Sequence, residues 1–390
     1  MSDGETVRLT VGSVAHGGHC VARHDGRAVF VRHALPGEVV DAVVTEGGDD
    51  ARFWRADCVT VVEASPDRVP SVWPEAGPGG VGGGELAHVA LPAQRQWKLD
   101  VLTDAFARFA KQEFPGVVSP APGDTDRQGL AYRTRVTAVA GASGHAAMRK
   151  HRSWDAVELE SMPLAVPAAE RILLGTRLEP GERFTVTVAS SGEVAVAIDG
   201  QPAPSVSERV TTASGAVDYR VRADGFWQVH VEAPALLVNT VLEQLGDAQR
   251  VLDLYAGAGL FGAAIAAQGR DVTLVEFDRR AAKDAQYNVR PWPHARVVAG
   301  DVRRTLASGE IKGADAVVLD PPRSGAGAKT LDTLVALKPG RVVYVACDPV
   351  ALARDVALLA ERGYELEQAQ GFDLFPMTHH VETVATFIRS

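Results

Sequence analysis

From residue 250 onward the chain alternates short apolar runs with helical stretches. The runs are 250–254, 271–275, 295–298, 314–319 and 341–346, rich in Val, Leu and Ala. Strand-length segments separated by helices pair in parallel, and a parallel sheet needs helices on both faces. This part of the chain is therefore expected to be α/β, a doubly wound sheet. Such sheets bind ligands at the carboxyl ends of their strands, where the strand order reverses. Each motif discussed below follows one of these runs or precedes a final strand expected at 384–388.

The region before it reads differently. Residues 5–63 hold short alternating runs broken by turn residues, Gly17-Gly18 and Pro36-Gly37 among them. Closely spaced strands of this kind predict a small barrel, ending near Ser65-Pro66. The Gly/Pro-rich stretch 74–84 is loop. Trp97, Val101, Leu102, Phe106 and Phe109 recur at helical spacing and predict a helix over 94–112. Residues 132–215 are again strand-rich, with runs at 183–188 and 194–198. Three units follow: 1–64, a barrel; 65–215, β-rich, whose helix 94–112 is expected to pack on the last unit; and 216–390, the α/β unit.

Composition limits the function. At 46% hydrophobic and 23% charged residues the chain is expected to be globular. No apolar run reaches the roughly 20 residues that span a bilayer, and residues 1–10 lack a basic-then-apolar leader pattern. A cytoplasmic location with no membrane partner is expected, and no obligate protein partner is implied. The three cysteines, Cys20, Cys58 and Cys347, form neither a disulfide framework nor a metal motif, so no metal site is expected. The net charge of −9 is unusual for a nucleic-acid binder, but net charge averages over the whole surface. Between Arg127 and Arg152 there are six Arg or Lys and no acid, with His145 and His151 interspersed. That stretch is either a solvated face or a phosphate footprint.

Residues 251–262, VLDLYAGAGLFG, run from a strand through a glycine turn into a helix, with GxGxxG at Gly257, Gly259 and Gly262. The turn suits either a dinucleotide or S-adenosylmethionine. Val275-Glu276 ends the second run, where a carboxylate can accept hydrogen bonds from both ribose hydroxyls. Two features favour the methyl donor. Asp253 is expected near a cationic sulfonium or amino group. Asp320-Pro-Pro-Arg-Ser-Gly325 ends the fourth run, and its paired prolines make a rigid turn that presents Asp320 to the cleft.

Tyr344-Val-Ala-Cys347-Asp-Pro349 puts a cysteine just past the fifth run, and Glu382 opens the last strand. A thiolate and a carboxylate suit carbon 5 of a pyrimidine. That carbon is a poor nucleophile until a thiolate adds at C6, and its proton then needs a base. The thiol would need surroundings that support ionisation. Three rivals remain open. An amino-group methyltransferase acting on an RNA base would use the Asp-Pro-Pro-Arg turn without Cys347. An NAD-dependent oxidoreductase rests on the glycine motif alone. A catalytically idle RNA-binding protein would keep only the fold.

Together these motifs resemble the uridine-C5 RNA methyltransferase family across nearly the whole chain. Residues 5–63, with Gly17-Gly18, Val29-Phe-Val31 and Leu35-Pro-Gly-Glu38, resemble its N-terminal TRAM domain, an OB-like RNA-binding barrel. Phe226-Trp-Gln-Val229 resembles the segment whose glutamine contacts the donor. The resemblance implies a Rossmann-like class I methyltransferase domain. It implies donor contacts from Gln228, Tyr255, Glu276, Asp301 and Asp320, with Cys347 as nucleophile and Glu382 as proton acceptor. It also implies S-adenosylmethionine as methyl donor and a ribosomal or transfer RNA as partner. Many relatives hold an iron–sulfur cluster on four cysteines; Trp73, Val81, Gly84 and Met162 stand at those positions here, so no cluster is expected. Where relatives often read Ser-Cys-Asn, this chain has Ala346-Cys347-Asp348. Met377 replaces a commoner polar residue.

Overall fold

The computed structural model describes residues 4–48, 50–150 and 153–390; His151 and Arg152 of the basic stretch and the first three residues of the N-terminal segment lie outside them. Strands β1 (Thr6–Ala15), β2 (His19–His24), β3 (Arg27–Arg32), β4 (Val39–Glu46) and β5 (Phe53–Glu63) close into a barrel in the order β1-β2-β3-β5-β4. Alternation decides what fills it: Val7, Leu9 and Val11 on β1 point inward, and Val29, Val31, Val40, Ala42 and Val44 do the same on their strands. Cys20 and Cys58 are buried in this barrel as small apolar side chains, and burial pushes the Cys58 thiol up to about 11.

The expected helix is α1 (Leu91–Ala105), continued by one wider turn, Phe106–Ala110. Its Leu102, Ala105 and Phe106 share a core with Leu252, Leu254, Val317 and Tyr344 of the catalytic unit. A short strand, β6 (Val118–Pro120), then joins the edge of the catalytic sheet. The middle of the chain forms a second sheet in the order β11-β10-β7-β8-β9. It comprises β7 (Arg135–Ala140), β8 (Ala146–Arg149), β9 (Ala156–Glu158), β10 (Arg183–Val188) and β11 (Val194–Ile198), with α2 (Pro167–Gly175) packed on it. Strands β12 (Ser205–Thr212) and β13 (Gly215–Arg222) pair along their full length. Their Val210, Val217 and Tyr219 pack with Leu237, Val241 and Phe261 of the catalytic unit. The expected division at 215/216 thus falls inside one hairpin that packs as a unit.

The catalytic part has α3 (Ala233–Gln244), β14 (Arg250–Leu254), α4 (Leu260–Ala267), β15 (Asp271–Glu276), α5 (Arg279–Val289), β16 (Ala295–Ala299), α6 (Val302–Ala307), β17 (Ala316–Leu319), α7 (Ala328–Val335), β18 (Arg341–Ala346), α8 (Pro349–Ala360), β19 (Tyr364–Asp373) and β20 (Glu382–Arg389). The sheet order is β16-β15-β14-β17-β18-β20-β19-β6. Strands β14 to β18 are parallel, and the order reverses between β14 and β17. Strand β20 runs antiparallel between β18 and β19. Its first residue therefore lies at the same sheet edge as the last residues of the parallel strands. No helix among the described residues is long and apolar enough to cross a membrane.

One buried ion pair ties α1 to the segment that leads into β20. Lys98, fully buried, bonds the carboxylate of Asp373, and its Nζ also donates to the Phe375 carbonyl at 3.0 Å. Burial pulls the Lys98 amine down, and Asp373 pulls it back up. Removing one partner leaves the other charge buried and alone. Lys98→Ala is expected to cost about 3–5 kcal/mol, read from the shift in urea midpoint. A loss below about 1 kcal/mol would mean that solvent reaches Asp373 in the variant.

Candidate active site

A cleft of about 710 Å³ opens at the carboxyl edge of the sheet, at the point where the strand order reverses. The glycine turn forms one wall. Gly259 has φ +87° and caps α4, and Gly257 has φ +56°, so both adopt backbone that favours glycine. A Cβ on Gly257 would meet nothing within 4 Å, which leaves open space for a ligand beside the backbone. At Gly262 the reason is packing: a Cβ there would lie 2.4 Å from Leu274.

The turn also clamps Glu276. Its Oε2 accepts from the Gly257 N–H at 2.8 Å and its Oε1 from the Asp278 N–H at 2.7 Å. The carboxylate is thereby held in one orientation on the cleft wall. Tyr255, also lining, has φ +62°, a conformation that costs a non-glycine residue about 1 kcal/mol or more. Gln228, Asp320, Cys347 and Glu382 complete the expected set found in the lining, and burial pushes the Asp320 carboxyl up to about 7.

Two of the carboxylates expected near the donor lie outside this lining. Asp253 is fully buried and does not line the cleft; its Oδ2 accepts from the Gly262 N–H at 2.8 Å and so pins the glycine turn from behind. Burial pushes its carboxyl up to about 8, partly opposed by that N–H. Asp301, expected at the donor, is not in the lining either. It is the N-cap of α6, accepting from the Arg304 N–H at 2.9 Å.

Strand register explains how Cys347 and Glu382 meet. Ala346 of β18 pairs with Thr383 of β20, so the next residue on one strand and the preceding one on the other fall side by side. Glu382 is only 3% exposed. Burial raises its carboxyl well above the usual carboxylate range; Asp320 adds to the rise and Arg323 opposes it. Cys347 departs from the sequence expectation of a favourable setting for ionisation. Burial first, then Glu382 and Asp320, push its thiol up to about 11, with Arg323 pulling the other way. The resting side chain is a thiol. Iodoacetamide alkylation of Cys347 is therefore expected to climb about tenfold per pH unit between about pH 7 and 10. Arg323→Ala is expected to slow it at fixed pH. A rate already flat at neutral pH would mean that the thiolate is present at rest.

Several lining residues carried no role in the sequence reading. Phe226, 74% exposed, and Phe375 supply apolar surface. Arg323 and His380 lie 3.4 Å apart, Nη2 to Nε2. Arg323 was visible in the Asp-Pro-Pro-Arg motif and Phe226 in the Phe226-Trp-Gln-Val229 segment; nothing in the local pattern marked Phe375 or His380.

The basic stretch is not one face. Arg135 is 5% exposed, donating to the carbonyls of Arg222 and Gly225 and pairing with Glu208. Arg127 pairs with Asp124 at 2.8 Å. Arg133 lines the cleft, and Arg149 lies over the Trp154 ring at 4.2 Å.

The four positions where relatives carry cluster cysteines do come together. Trp73, Val81 and Met162 share one buried core, and a Cβ on Gly84 would lie 2.9 Å from the Trp73 ring. An indole and aliphatic groups fill that space. Among the described residues no group of three or more His, Cys, Asp or Glu is placed to hold a metal ion.

Comparison with known proteins agrees with this architecture. Family models described as TRAM domain, Methyltransferase small domain and tRNA (Uracil-5-)-methyltransferase match residues 2–49, 228–337 and 310–389. An uncharacterized RNA methyltransferase of Streptomyces avermitilis is 39% identical over 98% of this chain and 98% of that protein. The 23S rRNA (uracil(1939)-C(5))-methyltransferase RlmD of Shewanella amazonensis is 31% identical, covering 98% of this chain and 96% of its own. The crystal structure of Pyrococcus abyssi tRNA (uracil-54, C5)-methyltransferase with S-adenosyl-L-homocysteine has the same fold, with TM-score 0.73 at 22% identity over 98% of this chain and 100% of that one. With near-full-length identity of this order, a TRAM barrel and a Rossmann-like catalytic sheet, the chain belongs to the family of S-adenosylmethionine-dependent uracil-C5 RNA methyltransferases.

Proposed function

We propose that this protein methylates C5 of a uridine in ribosomal or transfer RNA, with Cys347 as nucleophile and Glu382 as base. The observation that carries the reading is the strand register that sets Cys347 beside Glu382 in the lining of the cleft. Cys347 Sγ, once ionised, bonds to C6, and the electron pair of the C5=C6 bond moves towards C5 and O4. Bound S-adenosylmethionine would supply an electrophilic methyl group; as C5 bonds to that carbon its bond to the sulfonium sulfur breaks, and S-adenosylhomocysteine leaves with the electron pair. Glu382 then takes the C5 proton. The electrons left behind re-form C5=C6 and expel the thiolate. A carboxyl with a raised pKa is the stronger base once ionised.

The residues present fit the donor. Glu276, clamped by two backbone N–H groups, is oriented to accept from ribose hydroxyls. Gly257 allows close approach of the ligand. Asp320 offers negative charge to a cationic group, with Gln228 and Tyr255 as further contacts. Asp301 and Asp253 act through the loops they cap or pin. Barrel and middle sheet, 1–64 and 65–215, would hold the RNA while the uridine is flipped out, at a cost of roughly a few kcal/mol.

The decisive experiment is mass spectrometry of the denatured protein after incubation with donor and RNA containing 5-fluorouridine. Fluorine cannot leave as the C5 proton does, so a covalent protein–RNA adduct on Cys347 is expected. Absence of an adduct from a protein that still methylates RNA would overturn the mechanism. Comparing modified nucleosides in ribosomal and transfer RNA from wild-type and deletion strains identifies the target.

A further inference from the structure

The turn between β1 and β2 belongs to the barrel, yet it reaches the catalytic loops. His16 Nε2 lies 3.1 Å from Asp348 Oδ2, and Asp348 is the residue after Cys347. The same carboxylate, through Oδ1, caps α8 by accepting from the N–H groups of Val350 and Ala351 at 3.0 and 2.8 Å. One carboxylate thus joins three things: the barrel turn, the start of α8 and the nucleophile's peptide.

A second contact runs parallel to the first. Gly18 packs so closely on His379 that a Cβ there would lie 3.2 Å from its Nδ1. The His379 ring is 4.1 Å from that of His380, centroid to centroid, and His380 meets Arg323. Glu85, 3.6 Å from His379, holds this pair from the loop before α1. The barrel turn therefore touches both the loop bearing Cys347 and the loop that leads to Glu382.

We propose that His16 is a positioning residue for the nucleophile, so that the RNA-binding barrel, through the His16–Asp348 contact, sets the orientation and ionisation of Cys347. The inference rests on Cys347 being the nucleophile. Its physical basis is that the negative charge of Asp348 opposes the thiolate, whereas the His16 ring binds one oxygen of that carboxylate and withdraws it. The sequence agrees in one respect: His16 faces an aspartate, one of the two residues at which this chain departs from the Ser-Cys-Asn pattern. A carboxylate there gains more from an imidazole than an amide does.

His16→Ala is expected to lower kcat for RNA methylation about tenfold while leaving KM for S-adenosylmethionine within a factor of two. It is also expected to slow iodoacetamide alkylation of Cys347 about threefold at pH 8 in the protein alone. Asp348→Asn, which keeps an oxygen for the α8 cap, is expected to speed alkylation. In the double variant His16→Ala/Asp348→Asn the His16 effect should disappear, since the charge it opposed is gone. The alkylation rate needs no RNA and no turnover, so it reports on this contact even if another residue proves to be the nucleophile. Unchanged alkylation in His16→Ala with circular dichroism identical to wild type would overturn the proposal. So would equal slowing by His16→Ala in the presence and absence of the Asp348 carboxylate.

Discussion

Cys347→Ala is expected to lower methyl transfer by at least about 10³, a loss of about 4 kcal/mol of transition-state stabilisation. Carbon 5 of uracil gains nucleophilic character only after C6 has been attacked, and no other thiol can make that attack. Cys20 and Cys58 are buried in the barrel, far along the chain from the cleft lining. Alanine removes the sulfur and little else, because Cys347 lies at the strand end and not in the packed core. Donor affinity, assigned in the proposed function to Gln228, Glu276 and Asp320, should stay within about twofold of wild type by calorimetry. The check is incorporation of labelled methyl into RNA. Comparable incorporation by the variant would exclude covalent catalysis and favour an enzyme acting on a base nitrogen.

Glu382→Gln is expected to trap a protein–RNA species that already carries the new methyl group. The proposed chemistry is ordered: the thiolate adds, C5 takes the methyl, and only then must the proton leave. Glutamine has the shape of the carboxyl but cannot accept a proton. The substitution should also fold well. Glu382 is 3% exposed and its carboxyl is held towards the neutral form, so a neutral isostere introduces no new buried charge. With labelled donor, a band resistant to denaturing electrophoresis should carry label and protein together, while free methylated RNA falls by about 10²-fold or more. Normal turnover without the band would assign proton removal to another group.

These expectations depend on features of very different legibility. The glycine turn, the Glu276 strand end and Asp320 were readable because each is local. A strand running into glycine and then helix dictates its own geometry within a few residues, and the parallel order puts such ends on one edge. The backbone roles of Asp253 and Asp301 were not legible, for the complementary reason. Sequence position put them near the donor, but a carboxylate with a backbone N–H in reach turns towards it. The basic stretch left two readings open, since burial and pairing, as at Arg135 with Glu208, are decided by strands far away in sequence.

By itself, the sequence determined the element types, the alternation that fills the barrel, the run of parallel strands and the residue types fit for pyrimidine chemistry. Tertiary structure decided the rest. It inserted β20 antiparallel between β18 and β19, which brought Glu382 to the side of Cys347 across 35 positions of chain. It set both groups among carboxylates, Glu382 buried and Cys347 half-buried, so that Cys347 rests as a thiol. It also docked the barrel turn on Asp348, and it closed the space around Trp73 with apolar side chains. The physical reason is the range of the forces. Periodicity and turn chemistry act over a few residues and are written locally. Desolvation, charge pairing and sheet register act between segments that only the folded chain makes neighbours.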